Sequence, residues 1–166
     1  NKIIKFPVFL NPIWIIQIYL FAKRNRIEIF HLIDIPLSLS VILIGKMLNI
    51  PVVFDMWEPY PESLKEWSQG NLKYLLFKNY KIAKLVESIT LKYVDRIITV
   101  VEEKRDHLIE QGIDSNIISV VTNAVDLDKF QVTNSGVNET EVPIITYVGA
   151  INRPRGLIDI VNACKI

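Results

Sequence analysis

The chain reads as an α/β protein built on a parallel sheet, with a second α/β unit beginning near its C-terminal end. Three observations lead there. Short apolar runs at 27–33, 51–54, 96–101 and 117–121 alternate with stretches of helical periodicity, the pattern of β–α–β units joined by right-handed crossovers. Asp34 and Asp55 stand directly after the first two of these runs, at the strand ends where such sheets bind ligands. A polar stretch at 131–141, without periodicity, separates this series from a fresh apolar run at 143–148 that ends in Gly149. Such a stretch is a linker.

Each element has a local reason. Asn11-Pro12 is an N-cap followed by proline at the first helical position, predicting a helix over 12–24 with a cationic end at Lys23-Arg24. A strand at 27–33 follows, then a helix over 36–48 opened by Pro36 and stopped by Asn49, then a strand at 51–54. Residues 56–70, with two prolines and two tryptophans among acidic and aromatic neighbours, read as irregular. Asn71 is expected to cap a long helix over 72–93 whose core stripe is Leu72, Leu75, Leu76, Ala83, Val86, Ile89 and Tyr93. A strand at 96–101, a helix over 102–111 closed by Gly112, and a strand at 117–121 complete this part. The predicted organisation is thus a Rossmann-like domain over 1–130, a linker over 131–142, and the first β–α element of a second Rossmann-like domain over 143–166. Asn1 in place of a methionine and the helix-like ending at 160–166 predict a chain cut at both ends.

Composition narrows the function. Half of the 166 residues are hydrophobic, enough for a packed core. A net charge of +1 gives no support for nucleic acid as a partner. A single cysteine, Cys164, builds neither a disulfide framework nor a metal cluster, so a cytoplasmic setting is expected. No metal is implied, since no His/Asp/Cys group has ligand spacing. The apolar runs at 13–22 and 35–50 are too short or too interrupted to span a bilayer and read as buried helices.

Four pieces, in this order and spacing, carry a family resemblance. They are Ile29-Phe30-His31-Leu32-Ile33-Asp34; Ile50-Pro51-Val52-Val53-Phe54-Asp55-Met56-Trp57-Glu58 with Pro61-Glu62; Thr122-Asn123-Ala124-Val125-Asp126 with Phe130; and Tyr147-Val148-Gly149 followed by Arg155-Gly156-Leu157. Together they resemble the retaining glycosyltransferases of family four, which have the GT-B fold. The resemblance implies transfer of a sugar from a nucleotide sugar to a glycan or lipid-linked acceptor, in a cleft between two Rossmann-like domains. It also implies no cofactor beyond the donor substrate itself. In this chain it covers the acceptor-side domain and the start of the donor-side domain, a fragment expected to be inactive alone. The sequence departs from the family pattern in four places. Trp57 stands where many members have a histidine lining the cleft, Ala124 replaces a glycine, and Ala150 replaces an arginine, with Arg155 in place of the usual lysine before glycine.

The candidate site residues follow from position. Gly149, Arg155 and Arg153 would hold the donor phosphates, through backbone approach at a glycine and charge-assisted contacts; alternatively the arginines are solvated surface charges. Asp34, Trp57 and Glu58 lie on the acceptor side. Asn123 and Asp126 stand at the hinge and cleft. Catalytic residues are unassigned, with Asp55, Glu58 and His31 as candidates. A lone strand histidine is more often packed and hydrogen-bonded than reactive, and the carboxylates serve equally well as helix caps. Trp57, Tyr60 and Trp67 either stack on a sugar or cover the sheet edge. Lys73, Phe77, Tyr80, Lys81 and Lys84 form a basic, aromatic helix face suited to peripheral contact with the inner face of the cell membrane, or a solvated face. Two rival functions remain at this level: a GT-B-like sugar-nucleotide epimerase, and a non-catalytic degenerate binding module.

Overall fold

A computed structural model describes residues 9–67, 79–125, 129, 145–149, 151 and 155–164, with the side chains of 65–67 excepted. They fall in two compact units, Asn1–Ala124 and Val125–Ile166. The first is built on a four-stranded sheet of β1 (Phe30–Ile33), β2 (Val52–Met56), β3 (Arg96–Thr99) and β4 (Ile118–Val120), in that order and all parallel. Helix α1 (Pro12–Asn25) precedes β1, α2 (Ser38–Leu48) joins β1 to β2, α3 (Tyr60–Trp67) and α4 (Tyr80–Tyr93) join β2 to β3, and α5 (Glu102–Glu110) joins β3 to β4. This is the mixed α/β, parallel-sheet architecture that the sequence predicts.

An unbroken strand order with crossovers of one hand places the connecting helices on one face of the sheet. Burial agrees. Leu32, Val52, Phe54, Met56, Ile97, Thr99 and Ile118 point to the covered face and are buried. His31, Ile33, Arg96 and Ser119, on the other face, are exposed, while Val53 and Ile98 are half-buried. The strands therefore alternate instead of being buried on both sides as the apolar runs suggest. Phe54 is buried in one core cluster with Leu32, Val41, Ile42 and Ile97 among others; burying such a side chain contributes about 1.5–3 kcal/mol.

Several boundaries move, each for a local reason. Strand β1 starts at Phe30, because the Ile27 N–H donates to Ala22 O and closes α1 instead of joining the sheet. Helix α2 starts at Ser38 and not at Pro36. Asp34 and Leu37 both adopt left-handed backbone, φ 53° and 66°, and this double bend puts Pro36 in a turn, with the Ser38 N–H donating to Ile35 O. Asn11 caps α1 by accepting from Ile13 N–H at 3.0 Å, and Asn49 closes α2 in left-handed geometry, both as expected.

The segment read as irregular contains α3, with prolines 59 and 61 at its start, where they cost no helical hydrogen bond. The long helix expected over 72–93 is not continuous. Asn79 has extended backbone and its side chain accepts from Lys81 N–H at 2.8 Å, so α4 begins at Tyr80; the expected Asn71 cap and Leu72, Leu75 and Leu76 lie outside the described residues. Tyr93 is exposed and Ile89 half-buried, contrary to the expected stripe. Thr90 and Leu91 take the buried places, Thr90 with its hydroxyl donating to Val86 O at 2.8 Å. That bond to the preceding turn lets a polar side chain enter the core.

In the second unit the described residues include one helix, α6 (Leu157–Ala163), entered through Gly156 at φ 67°. Ile145–Val148 form no strand, against the expectation for 143–148, and no described residue of this unit is buried. A strand needs a neighbour for its N–H and C=O groups, and the described part of the unit supplies none. The predicted linker at 131–141 lies outside the described residues.

Candidate functional site

The carboxyl ends of β1 and β2 bring together four of the six candidates that fall in the first unit's strand-end region. Ile33 is in register with Asp55, so Asp34 leaves β1 beside the last turn of β2's ladder, and its N–H donates to Asp55 O at 3.0 Å. The left-handed bend at Asp34 then turns its side chain toward the loop after β2, where Oδ1 accepts from Glu58 N–H at 3.5 Å. Asp34 caps no helix: the N-cap of α2 is Leu37, without a side-chain bond. Its carboxylate instead ties the β1 end to the β2–α3 loop.

Burial pushes the Asp34 carboxyl above the usual carboxylate range, partly offset by the backbone N–H groups of Glu58 and Trp57, with the Glu58 and Asp55 charges adding to the rise. Tyr60 is shifted upward too, by burial and then by the Asp34 charge. Of the three aromatic residues proposed for stacking, Tyr60 packs against the core, Trp57 stands 58 % exposed on the loop, and the Trp67 side chain lies outside the described residues.

His31 and Asp55 form a pair. The imidazole Nε2 lies 2.9 Å from Asp55 Oδ2, with the His31 side chain about half exposed and that of Asp55 only 11 % exposed. This is a diagonal neighbour pair on the open face of adjacent strands. Sequence reasoning treated the two separately. The signal that joins them is the parity of their positions: once residue 33 is set opposite residue 55, His31 and Asp55 must share a face. Asp55 thus has a partner that covers it, and His31 sits two residues back from the strand end, beside the edge and not at it.

Asn123 follows β4 and is exposed; Asp126 lies outside the described residues. In the second unit Gly149 and Arg155 are both exposed, and Arg153 lies outside the described residues. A Cβ on Gly149 would meet the Tyr147 hydroxyl at 2.7 Å, so a side chain there must displace the tyrosine ring.

The family model described as Glycosyltransferase Family 4 matches residues 3–129, about three quarters of the chain. The chain belongs to that family. No curated protein matches it. The matched span contains the whole four-stranded sheet and its connections, so this glycosyltransferase domain carries Asp34, Asp55, Trp57 and Glu58 at the edge where α/β sheets place their ligands. Among the described residues no helix is long and apolar enough to cross a membrane.

Proposed function

We propose that this chain provides the acceptor-side domain and the first part of the donor-side domain of a retaining glycosyltransferase. The enzyme moves a sugar from a nucleotide sugar to a glycan or lipid-linked acceptor, working in the cytoplasm against the inner face of the cell membrane. The observation that supports this reading best is the loop after β2: Trp57 is exposed while Asp34 holds the loop's backbone. An exposed indole offers a flat apolar surface to the C–H face of a pyranose. The carboxyl oxygens of Asp34 and Glu58 beside it accept hydrogen bonds from sugar hydroxyls. The roles assigned are acceptor binding for Trp57, Asp34 and Glu58, cleft lining for Asn123 and Asp126, and donor phosphate binding for Gly149, Arg155 and Arg153. Retention of configuration then relies on a positioned donor and acceptor more than on a paired acid and base.

Isothermal titration of the complete gene product with a panel of nucleotide sugars tests the reading. Binding of one donor is expected, together with transfer to a glycan acceptor. Trp57→Ala is expected to raise the acceptor KM by roughly fivefold or more, the loss of one aromatic contact, with donor affinity unchanged. Absence of affinity for any nucleotide would favour the non-catalytic module, and conversion of the donor sugar without an acceptor would favour the epimerase.

A further inference from the structure

The helices over the sheet leave a gap on one side of α4. This helix packs against α2 and α3, whereas its contact with α5 is marginal at most. The opening is a groove of about 320 Å³, within the range that small-molecule pockets occupy. One wall is a stripe of α4, formed by Lys84, Glu87, Ser88, Leu91 and Lys92; spacings of three and four residues set them on one side of the helix. Gln111 and Ile113, just after α5, form the other wall. Helix α4 runs into β3, and Ile113 lies ahead of β4. The groove therefore opens toward the amino ends of the strands, opposite the edge that carries Asp34 and Glu58.

Its floor is apolar and its rim cationic. Leu91 is buried, and Ile113 packs against the core cluster. Lys84 and Lys92 are exposed. Lys84 Nζ donates to the Tyr80 hydroxyl at 3.3 Å, which leaves two of its three N–H groups for a ligand. Ser88 offers a hydroxyl, and Gln111 Nε2 lies 2.8 Å from His107 Nε2, so the amide is held in place. Glu87, the one acid in the described lining, is half-buried. Burial raises the pKa of its carboxyl; Lys104 and Lys84 act against the rise, while Glu62 and Asp34 add to it. The acid is thus partly shielded, and the rim favours negative charge.

We propose that the groove between α4 and α5 binds a small organic anion, a carboxylate or phosphate monoester on a compact apolar body. The body rests on Leu91 and Ile113, and the charged group meets the lysines at the rim through charge-assisted hydrogen bonds. Ser88 and Gln111 supply neutral polar contacts that fix its orientation. Two ammonium groups against one carboxyl make a metal ion a poor occupant. Of the basic, aromatic helix face expected from sequence, Lys73 and Phe77 lie outside the described residues, and Lys84 lines this groove. The site stands apart from the strand-end edge, so its ligand is not the sugar acceptor, and the inference does not depend on the transfer chemistry.

Amide NMR titration of the isotope-labelled chain, with no nucleotide sugar present, tests this. Phenyl phosphate, benzoate or both are expected to give saturable shifts confined to 84–92 and 111–113. Inorganic phosphate, which lacks the body, and benzyl alcohol, which lacks the charge, should each bind roughly tenfold more weakly or worse. Lys84→Gln with Lys92→Gln is expected to weaken probe binding by roughly tenfold or more, as for lost hydrogen bonds to a charged group. Ser88→Trp fills the groove from an exposed position and is expected to abolish binding, with far-UV circular dichroism unchanged. Glu87→Gln should tighten it at neutral pH by roughly twofold or more, and Glu103→Gln, at the far end of α5, should leave it unchanged. Shifts that are absent, spread over lysine-bearing surfaces at large, equal for inorganic phosphate, or indifferent to Ser88→Trp overturn the proposal. Nucleotide sugars that fail to bind while these probes still do count against the enzymatic reading alone.

Discussion

Substituting Gly45 by alanine tests the packing that holds the site's two strands under α2. Gly45 lies inside the helix, where glycine ordinarily costs about 1 kcal/mol relative to alanine, so replacement on an open helix face would stabilise the protein. Here an added Cβ would fall 2.7 Å from Val52 Cγ2 and 2.9 Å from Ile50 O. Ordinary contacts begin near 3.4 Å, so both neighbours must retreat by about half an ångström. One is backbone and the other opens β2, next to Phe30 of β1. Relief of this kind costs about 1–3 kcal/mol. Subtracting the propensity gain leaves Gly45→Ala less stable by up to about 2 kcal/mol, or up to about 8 °C in Tm for a domain of this size. Thermal unfolding followed by circular dichroism measures it. A variant more stable than the parent by about 1 kcal/mol, the full propensity gain, would show that α2 does not sit this close to β2, and the placement of Asp34 and Asp55 would lose its support.

Two further outcomes follow from the electrostatics. Burial raises the Glu87 pKa above its ordinary 4.5, more than the nearby Lys104 lowers it. The folded state therefore holds the proton more tightly than the unfolded chain does, and stability is lost as pH rises through and above that value. Glu87→Gln should be more stable than the parent at neutral pH, with the difference vanishing below about pH 4; urea denaturation across this range decides, and a variant destabilised at pH 7 contradicts the reasoning. His31→Ala should cost about 1 kcal/mol, since it removes one side-chain hydrogen bond to Asp55 whose histidine half is open to water. A loss above roughly 3 kcal/mol would place the pair in a far drier environment than the structure gives.

Some features were legible because they depend on a few adjacent residues. The Asn11-Pro12 start, the Asn49 stop and the strand–acid ending at Asp34 are local chemistry, and each appears where expected, whereas Asp55 lies inside β2, which runs on to Met56. The start of α2 was misread because Pro36 suits a helix entry and a turn equally; the left-handed backbone of Asp34 and Leu37 chose the turn. The aromatic, proline-rich stretch hid α3 because proline stops a helix in its interior but opens one in its first turn. The buried stripe of α4 was misplaced because Thr90, polar by type, satisfies its own hydroxyl within the helix.

By itself the sequence determined the alternation of strand and helix, the parallel sheet that alternation requires, and the acidic residues at the carboxyl ends of its first two strands. Periodicity and capping are written in neighbouring side chains. Only the tertiary structure decided that His31 reaches Asp55, that Asp34 holds the Trp57 loop in place of a helix, and that α2 packs against both α1 and α4. These depend on register between strands and contact between helices far apart in the chain, and no local run of residues encodes either.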